Sequence, residues 1–434
     1  MRNVILKNLS EAEINNLCKR SAVDFSAIMP VVSDIIEQVK SDGDQALRDL
    51  TLKFDGVDPN PLMIDVPSAD NIHLPDHVKA AFDQAYKNLV LFHRAQTPIP
   101  LTVETMPGVV CTREARPLAS VGLYVPGGTA VLPSSVLMLA VPAQIAGCKE
   151  VIVATPPRKD GSIAPEVLYC AALTGVKKIL RAGGAQAIAT MAYGTESVPK
   201  VDKLFGPGNQ YVTCAKMMLQ LSDALVSIDM PAGPSEVLVM ADETANPVFV
   251  AADLLSQAEH GADSQVVFVS TSQKLAADVE TELFSQLETL PRVEFAKKAL
   301  ENSLIILVDS MEEAAQFSNR WAPEHLIISS DNANQIKHLI QHAGSVFVGH
   351  WTPESAGDYA SGTNHTLPTS GYAKMYSGVS LDSFYTFVTF QEISEDGLAL
   401  LGPVVEIMAD SEGLEAHKRA VSLRLKTIAD KATD

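Results

Sequence analysis

Residues 235–272 read SEVLVMADETANPVFVAADLLSQAEHGADSQVVFVSTS. The segment SEVLVMADE is an apolar strand, NPVFVAADLLSQAEH has helical spacing, and SQVVFVSTS is a second apolar strand. Strand, helix and strand in succession predict a parallel sheet covered by helices. The helix ends in Gln257, Glu259 and His260 just before Gly261, where the chain passes into the next strand. Helix–strand junctions are a usual place for chemistry in an α/β protein.

The same rhythm extends outward on both sides. Downstream come the strands LIILVDS, EHLIISS and GSVFVG, separated by the helical MEEAAQFSNRW and NANQIKHLIQHA. Upstream, SVGLYVPGG, EVIVATPP, KKILRAGG and DKLFGPGN alternate with helical segments such as SSVLMLAVPAQIAG and AQAIATMAYG. Two runs, 120–234 and 235–350, share this alternation without a literal repeat, which predicts two Rossmann-like lobes. The first hundred residues have helical periodicity. The expected organisation is an N-terminal helical arm (1–20), a first α/β lobe (21–119 with 235–375), a second α/β lobe (120–234), and a C-terminal helical tail (376–434).

Composition narrows the function class. Of 434 residues, 47% are apolar and 20% charged, the balance of a water-soluble protein. The longest apolar stretch is broken by Pro133 and Pro142, so no membrane span is expected, and the N-terminus has no apolar signal region. A net charge of −19 repels nucleic acid and anionic lipid. Five scattered cysteines with no C-x-x-C fit a reducing compartment, and a cytoplasmic location is expected.

Three glycine-rich turns, YVPGGTA (124–130), RAGGAQA (181–187) and FGPGNQY (205–211), each follow a strand and precede a helix. They expose backbone N–H groups at the carboxyl edge of one sheet, which suits a dinucleotide. Tyr124, Gln186 and Asn209 sit at these turns as candidate cofactor contacts. Gln257 and His260, three apart, share one helix face and could bind a metal; a helix-terminal histidine is the plainer alternative. Glu324 and His325 open a strand, either as an acid/base pair or as a charged strand edge. The stretch PESAGDYASGTNH (353–365) reads as a loop of small residues offering Asp358 as a hard oxygen ligand. MPAGPSE (230–236) is a rigid turn presenting Ser235, and Glu412 and His417 stand in the tail as surface residues. Composition and spacing stop at an α/β enzyme with a nucleotide cleft and a candidate metal site. They leave a dehydrogenase and a metal-dependent hydrolase both open.

The motifs ARPLASVGLYVPGGTAVLPSSVLMLAVPAQIAGC, GGAQAIATMAYGTESVP, KLFGPGNQYV, DMPAGPSEVLV, DLLSQAEHG, APEHL and PESAGDYASGTNHTLPT resemble the histidinol dehydrogenase family in identity, order and spacing over the whole chain. The resemblance implies the last two steps of histidine biosynthesis, a zinc- and NAD-dependent oxidation of L-histidinol by a cytoplasmic homodimer. It implies one zinc per subunit held by Gln257, His260, Asp358 and His417, and NAD contacts from Tyr124, Gln186 and Asn209. It assigns substrate contacts to Ser235, Gln257, His260, His325, Asp358, Glu412 and His417, and the acid/base roles to Glu324 and His325. It also implies that the tail packs on the partner subunit, so that Glu412 and His417 serve the partner's site. A thiohemiacetal route through Cys111 or Cys148 is a lesser alternative.

Overall fold

The computed structural model describes residues 1–20, 25–127 and 131–431, so the last part of the first glycine-rich turn, 128–130, lies outside the described residues. The chain forms two compact units, Met1–Gln96 with Leu118–Phe384, and Thr97–Pro117 with Tyr385–Asp434.

The first unit holds two six-stranded sheets. In one, the strands Ser120–Tyr124, Glu150–Thr155, Lys178–Arg181, Lys203–Phe205 and Ser227–Ile228 are all parallel and lie in the order 3-2-1-4-5. In the other, Glu236–Ala241, Gln265–Ser270, Leu304–Leu307, His325–Ser329 and Ser345–Val348 are also parallel and in the same order. Such an order reverses direction between strands 1 and 4, which opens a crevice there. Strand Glu236–Ala241 is buried throughout, as a central parallel strand must be when both faces are covered.

The N-terminal residues differ from the expected grouping. Arg2–Ile5 is a strand, added parallel to Leu304–Leu307 at the edge of the second sheet. Helix Met29–Asp55 packs Val32, Ile35, Ile36, Val39 and Leu47 into a core shared with Ile152, Leu180 and Ile188, and Met63–Asp65 pairs antiparallel with Lys178–Arg181. These segments therefore sit with the 120–234 sheet rather than with 235–375. Helical periodicity reveals an apolar face but not which sheet that face covers.

The second unit is not wholly helical either. Leu101–Met106, Val109–Pro117 and Tyr385–Ile393 form an antiparallel three-stranded sheet. Two helices follow, Glu395–Ser411 and Glu415–Lys431. Tyr385–Ile393 buries none of its residues and is exposed at every position after Phe387, so its strand character is hidden from a search for apolar runs.

Candidate active site

The cofactor candidates meet at the carboxyl edge of the 120–234 sheet. Tyr124, Gln186 and Asn209 line one cavity of about 750 Å³, together with Pro156 and with Phe54 and Asp55 of the N-terminal helix. The turns that frame it are tightly specified. Gly206 has φ +118°, and a Cβ there would collide with the Tyr124 carbonyl oxygen. Lys216 and Asp229, a buried ion pair, clamp the same glycine: Lys216 Nζ donates to the Gly206 carbonyl at 2.9 Å, and the Gly206 N–H donates to Asp229 at 2.7 Å. Asn209 caps helix Gln210–Gln220, its Oδ1 accepting from the N–H groups of Tyr211 and Val212. That leaves its NH2 group for a ligand. The Tyr124 hydroxyl accepts the Gly184 N–H at 3.1 Å, and burial pushes its pKa up to about 12, so it stays a neutral hydrogen-bonding group. One feature of the cavity escaped sequence reading: Asp55 carries a buried carboxylate oxygen without a hydrogen-bond partner.

Ser235, Gln257, His260, Glu324, His325 and Asp358 gather at the opposite, amino edge of the second sheet. Glu324 and His325 begin the fourth strand beside Glu236, which begins the first. The Glu236 N–H donates to Glu324 Oε2 at 2.8 Å, and the Glu236 carbonyl lies 3.1 Å from His325 Nδ1. A carbonyl only accepts, so Nδ1 carries a proton and Nε2 faces the site. There it meets Asp358 Oδ1 at 3.2 Å. Glu236 is itself fixed by Arg20, whose guanidinium makes two hydrogen bonds to its carboxylate and lies 3.5 Å above the Trp321 ring. Arg20 is distant in sequence, and no local pattern marks it.

The electrostatics are strongly perturbed. Burial pushes Glu324 above the ordinary carboxylate range, against the pull of His325. Burial alone would lower His325, but the carboxylates of Glu324 and Asp358 outweigh it and hold the ring above its usual value. Burial would likewise raise Asp358, yet the hydrogen bond from His325 keeps it low and ionised. His260 is lowered by desolvation of its ring, with Asp358 opposing, which favours the neutral, ligating form.

Helix Pro247–Ala258 delivers Gln257 to this edge at its C-terminal end, with His260 just beyond. The stretch expected as a loop contains helix Glu354–Tyr359, and this helix carries Asp358. Gln257 is 1% exposed, and its Oε1 has no hydrogen-bond partner. Leaving such an oxygen bare costs about 1–3 kcal/mol, so it fits an unsupplied cation. A carboxamide oxygen, an imidazole and a carboxylate form a mixed N/O set that zinc accepts. Among the described residues no three His, Cys, Asp or Glu side chains form a metal-holding group, so this unit offers a partial set. Ser235 is half-buried at the same edge, where its carbonyl accepts the Gln265 N–H.

Glu412 and His417 belong to the second unit, both exposed, at the junction and the start of its two helices. The Cys148 thiol is poorly suited to covalent chemistry. Burial pushes Cys148 up to about 11, and Cys111 lies in the second unit. The described helices include none long and apolar enough to cross a membrane.

Comparison with known proteins bears on this arrangement. A sequence model described as histidinol dehydrogenase matches residues 18–425. The chain is 59% identical over 432 residues to a protein of Arabidopsis thaliana named chloroplastic histidinol dehydrogenase, covering 99% of this chain and 93% of the relative. It is 54% identical over 427 residues to the histidinol dehydrogenase of Bacteroides thetaiotaomicron, covering 98% and 99%. The crystal structure of histidinol dehydrogenase from Elizabethkingia anophelis superposes with a TM-score of 0.94 at 48% identity, over 99% of each chain.

Proposed function

The chain belongs to the histidinol dehydrogenase family and is an oxidoreductase, and we propose that it oxidises L-histidinol to L-histidine through bound L-histidinal, as the final steps of histidine biosynthesis. The reaction consumes two NAD and one water, releases two NADH, and uses one zinc per subunit. The observation that carries this reading is the hydrogen-bonded sequence Glu236–His325–Asp358, with Glu324 beside it and the bare Gln257 oxygen at the same edge.

In this reading Gln257, His260 and Asp358 hold the zinc, with His417 contributed by the partner subunit of a homodimer. Zinc, when bound, supplies a Lewis acid that grips the amino alcohol and acidifies its hydroxyl. NAD, when bound beside Tyr124, Gln186 and Asn209, accepts hydride. The bare oxygen of Asp55 suits a ribose hydroxyl in the same cavity.

The protein's own groups move the protons. His325 keeps Nδ1–H on the Glu236 carbonyl, which fixes the ring and aims Nε2 at the substrate. When Asp358 turns its charge to the cation, Nε2 is released to take the hydroxyl proton as hydride leaves the carbon. Glu324, raised by burial, takes a proton from water as that water adds to the aldehyde. Once His325 has passed the first proton to solvent, the resulting gem-diol loses its hydroxyl proton to Nε2 and its hydride to the second NAD, three protons being released overall. Ser235, Glu412 and His417 contact the substrate. Supplying L-histidinol to the purified chain with excess NAD tests this: two NADH per histidinol are expected. One NADH, or none, contradicts it.

A further inference from the structure

Arg20 belongs to the N-terminal arm, yet its side chain is only 10% exposed, and that of its ion-pair partner Glu236 only 3%. Its Nε and Nη2 groups donate to the two Glu236 carboxylate oxygens at 2.8 and 3.1 Å, the bidentate fit of a guanidinium fork. Nη1 donates to the Cys18 carbonyl at 3.1 Å, which ties the guanidinium to its own arm. Two buried charges add little net stability over an apolar pair of the same size, so stability is a weak reason for this one.

Glu236 is the first residue of its strand, and the ladder to His325–Ser329 begins one residue later, with Val237 opposite His325. The Glu236 backbone serves the acid/base pair instead. Its N–H donates to Glu324 Oε2, and its carbonyl accepts from His325 Nδ1. Strand ends open most easily, so the alignment of both groups depends on what pins this one. The pin is the side chain. The same guanidinium lies 3.5 Å above the ring of Trp321, the last residue of helix Met311–Trp321. Only Ala322 and Pro323 separate Trp321 from Glu324. Ala322 has φ +53°, a left-handed conformation that alanine keeps only where its surroundings impose it. One side chain thus bears on the starts of both strands.

We propose that Arg20 is a positioning residue for the acid/base pair, acting through Glu236 and Trp321 to hold the starts of two neighbouring strands in alignment. This rests on the acid/base reading above and adds to it the element that sets the pair's geometry. Lysine cannot replace Arg20, because an ammonium supplies the charge but neither the fork nor the flat stacking face.

The test uses the full chain with zinc and NAD, and L-histidinol or L-histidinal as substrate. Zinc affinity against a chromogenic chelator and NAD affinity by fluorescence are measured beside turnover. Arg20→Lys should lower kcat with both substrates by about 10^2-fold, the cost of a 1 Å misplacement. KM and both affinities should hardly move. Glu236→Gln should give a similar loss, and the two changes together no more than either alone. In a His325→Asn background, Arg20→Lys should add little to the loss in the first hydride transfer, since the ring it aligns is gone. Full turnover in Arg20→Lys overturns the proposal, because charge alone would then suffice. So does a parallel fall in zinc and NAD affinity, which would mark general loosening, and so does full additivity with His325→Asn. If Arg20→Lys fails to melt cooperatively, Glu236→Gln carries the same three outcomes. Wild-type turnover in His325→Asn would instead overturn the acid/base reading itself.

Discussion

In the 120–234 sheet the proposed cofactor contacts stand where strands end; in the 236–348 sheet the proposed metal ligands and acid/base pair stand where strands begin. Both sheets have the strand order 3-2-1-4-5, so topology does not choose the edge. In the proposed assignment the charge of the ligand does. At the carboxyl edge helices begin, and their N-terminal turns carry partial positive charge, a match for a pyrophosphate. At the amino edge, helices end with carbonyls and partial negative charge, a match for a divalent cation. Gln257 and His260 sit at such a helix end, and Glu324 and Asp358 add carboxylates. Two copies of one architecture thus provide two opposite electrostatic environments.

If the edges work separately, damage to one should spare the other. His325→Asn should have the largest effect, lowering turnover of both the alcohol and the aldehyde by about 10^3–10^4, the upper range for a lost general base. NAD affinity, read by fluorescence, should be unchanged. Glu324→Gln should cost about 10^2–10^3 with L-histidinal as substrate and much less in the first hydride transfer, measured by single turnover. Equal losses in both steps would remove Glu324 from water activation. Asp358→Asn should weaken zinc about 100-fold in chelator competition and leave the NAD cavity intact.

The reciprocal variant is milder. Asn209→Ala removes the cap of helix Gln210–Gln220, worth about 1 kcal/mol of stability. It should also weaken NAD several-fold with no change in zinc affinity. A joint loss of both ligands would mean that the edges are coupled. The smallest effect concerns pH. His325 is raised in the folded chain, so its contribution to stability is complete below its unfolded value, about 6.5. That contribution fades as pH rises through the higher folded value. Asp358 is lowered, so its contribution fades as pH falls through its folded value. Urea melts of the zinc-free chain should show both limbs, and His325→Asn should remove the alkaline one.

The two edges were unequally legible in the sequence. Alternating strands and helices revealed both sheets, and the glycine turns marked the carboxyl edge, because phosphate cradles require backbone geometry that only certain residues allow. The amino edge leaves weaker traces. Gln257, His260, Glu324 and His325 could be noticed as residue types, but on spacing alone each had a plain structural explanation. The roles proposed for them follow from the family resemblance. The helix that carries Asp358, six residues rich in small side chains, reads as a loop. Arg20 and Asp55 act across sequence separations that periodicity does not register. The tail's strand Tyr385–Ile393 was missed because its pairing with Val109–Pro117 buries little.

Diffraction at the zinc absorption edge, from crystals grown with zinc and NAD, tests the division of labour most directly. One anomalous peak is predicted beside Gln257 Oε1, His260 and Asp358 at the amino edge, with the dinucleotide in the cavity lined by Tyr124, Gln186 and Asn209. A zinc peak inside that cavity, or none beside Gln257, would contradict the assignment of cation and cofactor to opposite edges.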